Sequence, residues 1–213
     1  EVMALSEVDR IRLILAVREK EDPCRQMVLT PTQAQANACT ARYIAIRGAN
    51  RSGKTAFSAY KLARVARGLP DVKTTKVRGV YLVFAPARAQ LADPWGKKLI
   101  KGSEVAGDLF DKPFIPAHEI ANIRYTYGAG EPTINLIELK NGDCILFCVS
   151  GDKNVWKRIE GKGCIKGVIL DESAGTELLL EELMTRLLDA NSNEQILREA
   201  GGAWLIWGAT QTK

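Results

Sequence analysis

The chain has 213 residues, 46% hydrophobic and 26% charged, enough to bury one substantial α/β core or two small ones, and a composition that excludes disordered, collagenous and coiled-coil classes. Thirty Lys and Arg against twenty-five Asp and Glu leave a formal charge of +5, which permits a polyanionic partner without requiring one. Basic residues gather at Lys97, Lys98 and Lys101 and more densely at Lys153, Lys157, Arg158, Lys162 and Lys166; the second group is the better polyanion candidate, although a solvated face is the commoner meaning of such spacing.

In chain order, Ala4, Val8, Ile11 and Leu15 stand at helical spacing between charged residues and predict an amphipathic lead-in helix that Pro23 ends. Pro31-Thr32 opens a second short helix through Ala41, and Tyr43 to Arg47 is a strand. A Gly-rich turn and a long helix, Lys54 to Arg67, follow, stopped by Gly68 and Pro70. Gly79 to Ala85 is a near-continuous apolar strand, the pattern of a parallel strand covered on both faces. Gln90 to Lys101 is a weak helix interrupted by Pro94, and Gly102 to Pro132, with three prolines, reads as irregular. Ile134 to Leu139 and Cys144 to Val149 flank an Asn-Gly pair and predict a hairpin. Ile165 to Leu170 is a buried strand, Thr176 to Ala190 a leucine-rich helix, and Ala203 to Trp207 a last strand. Strands alternating with helices indicate a mainly parallel central sheet flanked by helices.

The five cysteines form no CxxC pair and His118 is the single histidine, so structural zinc is not expected and a reducing compartment fits. Cys144 and Cys148 share one strand face and should behave as small buried hydrophobes. No apolar run approaches the roughly 20 residues of a membrane helix. The chain begins at Glu1 and stops at Lys213, soon after a strand, as an excised domain would.

The chemistry concentrates in two places. Gly48-Ala49-Asn50-Arg51-Ser52-Gly53-Lys54-Thr55 matches GxxxxGK[ST] between a strand and a helix, where successive N–H groups curve around phosphates and the helix N-terminus adds positive potential. Lys54 is placed to neutralise β and γ phosphates and the Thr55 hydroxyl to ligate Mg²⁺. Val168-Ile169-Leu170-Asp171-Glu172 puts two carboxylates at the end of a buried strand, the Walker B arrangement: Asp171 to hold Mg²⁺ and Glu172 to orient and deprotonate water. A glutamate beside the aspartate favours hydrolysis over phosphoryl transfer to a metabolite, and the chain has no NKxD element of a GTPase after the loop.

The order Pro31-Thr32-Gln33, Ala41-Arg42-Tyr43, GANRSGKT, GVILDE and WLIWGATQT resembles the ATPase domain of bacteriophage large terminases, motors that package viral DNA, from about Pro31 to Thr212. The resemblance implies a P-loop NTPase of the ASCE, RecA-like type, with residues 1–30 a helical lead-in and 31–213 the ATPase domain, and a nuclease domain that this chain does not carry. It implies Gln33 as the adenine-reading residue, with Gln35 the alternative, and Arg51 at the γ-phosphate, with Asn50 and Ser52 as further donors. Phe84 to Arg88 falls where the family has its next motif. Gly208 to Thr212 resembles its coupling motif, with Thr210 near the nucleotide and Gln211 where proline is frequent. Arg158 is the candidate arginine finger, completing a neighbour's site.

The resemblance further implies ATP and Mg²⁺ as cofactors and double-stranded DNA, portal protein and small terminase subunit as partners. The working form would be a homo-oligomeric ring docked on the procapsid portal in the host cytoplasm, and the isolated domain a monomer. A helicase-like or recombination ATPase and a non-hydrolysing nucleotide switch are the other readings; Glu172 argues against the second. Trp95, Trp156, Trp204 and Trp207 are expected in the core rather than as base-stacking platforms, and His118 is expected to be structural.

Overall fold

The computed structural model describes residues 6–49, 51–102, 112–127, 132–152, 154–160, 164–172 and 176–210. Ala4, Asn50, Lys153, Lys162 and Gln211 lie outside the described residues, as do the side chains of Leu15, Trp156 and Thr210.

Seven strands form one sheet in the order β1-β7-β6-β2-β5-β4-β3, where β1 is Tyr43–Gly48, β2 Val80–Ala85, β3 Ile120–Thr126, β4 Thr133–Leu139, β5 Cys144–Val149, β6 Ile165–Asp171 and β7 Trp204–Thr210. All neighbours are parallel except β4, which runs antiparallel to both β5 and β3. The helices are α1 (Glu7–Lys20), α2 (Pro23–Gln26), α3 (Pro31–Ala38), α4 (Lys54–Arg67), α5 (Arg88–Gln90), α6 (Val155–Ile159), α7 (Glu177–Asn191) and α8 (Glu194–Ala200). Among the described residues no helix is long and apolar enough to cross a membrane.

Period-2 alternation splits the central strands between two apolar layers. Tyr81, Val83, Ile169 and Ile206 join Phe57 and Leu62 of α4 and Trp95, from the segment after β2, in one core. Leu82, Phe84, Val168, Leu170 and Leu205 face the opposite layer with Leu183 and Leu187 of α7. The strands are therefore covered on both faces, which is why they read as continuous apolar runs. Trp204 lies over Gly167 of β6, where an added Cβ would come within 2.6 Å of the indole.

Several expectations are corrected. The irregular stretch contains β3, preceded by a 3-10 turn at Ala117–Glu119; its alternation is broken by register shifts against β4. Pro94 does not end the helix after β2, because the segment continues as π-helical turns Leu91–Trp95 and Lys97–Lys101, whose altered bonding accommodates a residue without an N–H. Helices α2 and α8 are additions to the expected elements; Asp22 caps the first through Cys24 N and Asn193 caps the second through Gln195 N and Ile196 N. In α1, Val8, Ile11, Leu13, Ile14 and Val17 are all exposed rather than packed as the buried face of an amphipathic helix would be. Trp207 is 38% exposed, not core. Lys166 is buried on Asp143, which removes it from the proposed basic surface.

Arg67, at the end of α4, ties the periphery together. Its guanidinium pairs with Asp22 and Glu119 and donates to Phe114 O at 2.9 Å. Burial works against its charge, but the two carboxylates outweigh burial and hold it above its ordinary value. Beside it, burial pushes the Cys24 thiol up to about 12, whereas Cys39 is exposed. A thiol-reactive dye at pH 8 is therefore expected to label Cys39 in the native protein and Cys24 after unfolding alone. Peptide mapping of the labelled protein checks this, and native labelling of Cys24 at the rate of Cys39 would contradict it.

Candidate active site

Among the described residues of the loop between β1 and α4, Arg51 (φ 62) and Gly53 (φ 83) are left-handed. A Cβ at Gly48 would meet Ser52 Oγ at 2.6 Å, so a larger residue there would require that side chain to move. Lys54 is 8% exposed and donates from Nζ to Gly48 O and Ala49 O, both at 2.9 Å. The ammonium thus spans the loop at the helix N-terminus. Ala49, Arg51 and Ser52 are exposed along the same turn.

Asp171 ends β6, and β7 lies between β6 and β1 in the sheet. Thr55 Oγ1 nevertheless reaches across to both oxygens of Asp171, 3.1 Å each. The second sequence-predicted pair is thereby brought against the first, at the carboxyl ends of the parallel strands. Asp171 is 5% exposed. Burial raises its pKa, while hydrogen bonds from Trp95 and Thr55 pull it back toward the ionised form.

A hydroxyl and a carboxylate facing each other are hard oxygen donors of the kind Mg²⁺ takes when substrate phosphates and water fill its other positions. The residues fit that ion.

Glu172 is exposed and adopts φ 68, a left-handed conformation uncommon for a non-glycine residue. It is held there by its N–H, which donates to Gly208 O of β7 at 2.6 Å. Its Oε2 accepts from Gln90 Nε2 at 3.2 Å, and Gln90 Oε1 accepts from Ala87 N at 3.2 Å. The loop after β2 is therefore bonded to the glutamate.

Gln33 is half-buried against the glycine-rich turn between β1 and α4. Its Oε1 accepts from Thr30 N at 3.0 Å and its Nε2 donates to Gly53 O at 3.2 Å, so the amide both caps α3 and braces the loop. Gln35 is exposed on the same helix. Thr210 pairs in register with Gly48, which sets the end of β7 beside the start of the loop. Among the described residues Arg158, on α6, makes no bond to Thr55 or Asp171; its guanidinium donates to Asn135 Oδ1 of β4. His118 is exposed, with Glu119 at 3.9 Å.

Two residues at the site escaped the sequence reading. Trp95 Nε1 donates to Asp171 Oδ2 at 2.9 Å, and Gln90 holds Glu172. Neither carries a motif; what places them is the pairing of β2 beside β6, in register from Tyr81↔Gly167 to Phe84↔Leu170, which a single sequence does not display.

The strand order, the glycine turn and the acidic pair define an α/β domain with a mostly parallel seven-stranded sheet flanked by helices and a candidate site at the carboxyl end of β1 and β6. Its fold is that of a large terminase ATPase domain. The chain is similar in structure to the Thermus phage P74-26 large terminase ATPase domain, with a TM-score of 0.53 and 16% identity over 91% of this chain and 69% of that one. It is likewise similar to an arginine-to-alanine mutant of that domain, with a TM-score of 0.50 and 14% identity over the same shares. No family model matches the chain and no curated protein matches it.

Proposed function

We propose that this chain is the ATPase domain of a large-terminase DNA-packaging motor, in which Mg²⁺-dependent ATP hydrolysis drives double-stranded DNA into a procapsid. The observation that carries the reading is the convergence of Thr55 on Asp171 beside the Lys54 loop, with Glu172 next in sequence. The interposed β7 supports the ASCE type of P-loop NTPase. On this reading residues 1–30 are a helical lead-in and 31–213 the motor domain.

The loop amides from Gly48 to Gly53 cradle the phosphates, and Lys54 exchanges its two loop carbonyls for β and γ oxygens. Thr55 and Asp171 would hold Mg²⁺, whose charge would offset that of the phosphates. Glu172 accepts a proton from the attacking water while that oxygen bonds to the γ-phosphorus and ADP leaves. Arg51, exposed on the turn, is placed for the γ-phosphate. Gln33 or Gln35 reads adenine; for Gln33 this requires release of Gly53 O. Thr210, at the end of β7, couples the nucleotide to motion. Arg158 acts in trans in a ring of copies, leaving Asn135 to meet a neighbour's nucleotide. Duplex DNA, portal protein and small terminase subunit are the proposed partners, in the cytoplasm of the infected host.

The test is phosphate release by the 213-residue protein with ATP and Mg²⁺, with and without duplex DNA, beside a strand-separation assay on a tailed duplex. Turnover that duplex DNA stimulates, without strand separation, supports the motor. Strand separation would favour a helicase, and binding of ATP without turnover under every condition would favour a nucleotide switch.

A further inference from the structure

The Thr55–Asp171 pair has a third member that the P-loop chemistry does not require. Trp95 is completely buried, and its indole N–H donates to Asp171 Oδ2 at 2.9 Å. The ring is held by an edge contact with Phe147 of β5, centroids 6.5 Å apart, and by its place at the end of the π-helical turn Leu91–Trp95. Lys98 Nζ braces that turn on Pro94 O at 3.0 Å.

The chemistry of the donor matters. An indole N–H has no acceptor capacity, so it bonds the carboxylate without competing for a cation. It takes one lone pair of Oδ2 and leaves Oδ1, with the remaining lone pair of Oδ2, facing Thr55. Asp171 is 5% exposed, which leaves little room for water to replace the indole. Partners of this kind, one bond behind a metal ligand, fix its rotamer and tune its affinity.

We propose that Trp95 is a positioning residue for Mg²⁺, acting through Asp171 by fixing the orientation of its carboxylate. The proposal rests on the ATPase reading above. It also gives the π-helical segment a purpose: π turns carry the Trp95 ring into the space beside β6 and past Pro94.

The experiment is a titration of ADP affinity, by competition with a fluorescent analogue, over a series of Mg²⁺ concentrations and in EDTA, for wild type, Trp95→Phe, Asp171→Asn and Lys54→Ala. Phenylalanine keeps a ring against Phe147 and removes the N–H. The expected result is a loss of Mg²⁺ affinity of about tenfold or more for Trp95→Phe, with ADP affinity in EDTA unchanged. Equal weakening in Mg²⁺ and EDTA, or none in either, would overturn the positioning role and leave the ATPase reading intact. ADP affinity indifferent to both Mg²⁺ and Lys54→Ala would overturn the ATPase reading and this proposal with it. Should Trp95→Phe fail to fold, the indole N–H resonances of ¹⁵N-labelled wild type decide. One of them is expected to shift on adding Mg²⁺ to the ADP complex and to shift in metal-free Asp171→Asn as well, and indole signals all unmoved by both changes would sink the idea.

Discussion

Glu172→Gln is expected to bind ATP as the wild type does and to release phosphate at least about a hundredfold more slowly, the usual cost of losing a positioned general base. The substitution is nearly isosteric, so the backbone features that hold the residue remain: φ 68, and the N–H on Gly208 O at 2.6 Å. The contact with Gln90 can also survive, since an amide oxygen accepts from Gln90 Nε2 as a carboxylate does. What is lost is the ability to take a proton. Lys54→Ala should differ in kind. On the ATPase reading that ammonium, lodged among loop carbonyls at 2.9 Å, is the cation that meets the phosphates, so its loss should weaken binding as well as turnover. Phosphate release measured beside equilibrium nucleotide binding separates the two patterns. A Glu172→Gln protein that turns over at the wild-type rate would remove Glu172 from the chemistry.

The core of this site is legible in the sequence because its residues are contiguous. Gly48 to Thr55 carries its own geometry, two left-handed positions and a close approach at Gly48, and the Lys54–Arg67 helix starts and stops where its glycines dictate. Asp171 is placed by the apolar run before it. The meeting of Thr55 with Asp171, 116 positions apart in sequence, follows from the motif pair and is present. Trp95 and Gln90 are illegible for a physical reason: their roles depend on β2 lying next to β6, and strand order is a tertiary fact with no local signature. Hydrophobicity assigns Trp95 to the core, correctly for its ring and silently for its N–H. Strand β3 escapes a sequence reading because its alternation is irregular, and because three of its seven positions, Ala121, Asn122 and Arg124, are exposed or set at register shifts, as suits an edge strand. Lys166 reads as surface charge since only the fold reveals that Asp143, 23 residues earlier, is its buried partner.

That pair supports the largest expected effect on stability. Lys166 Nζ lies 2.6 Å from Asp143 Oδ2, the side chains are 4% and 7% exposed, and the ammonium also donates to Thr75 O at 3.3 Å. Asp143 Oδ1 accepts from Gly79 N at 3.0 Å. The pair sits where β2, β5 and β6 begin, in register at Val80↔Cys144 and Val80↔Ile165, at the opposite end of the sheet from Asp171. Asp143→Ala would strand an ammonium in the interior, a change that costs about 3–5 kcal/mol. In a chain of this length each kcal/mol lowers Tm by about 2–4 °C, so a fall on the order of 10 °C is expected in thermal unfolding. Lys166→Met in the same chain should recover much of the loss, because an apolar replacement of a whole buried pair is often neutral or stabilising. The double variant distinguishes an uncompensated charge from the other losses: if it melts no higher than Asp143→Ala, the cost lies in lost packing and the hydrogen bond from Gly79 N and not in the orphaned lysine. Nucleotide binding well below Tm should be unchanged in both variants, since strands β2 and β6 run their full length between this pair and the Asp171 end of the sheet.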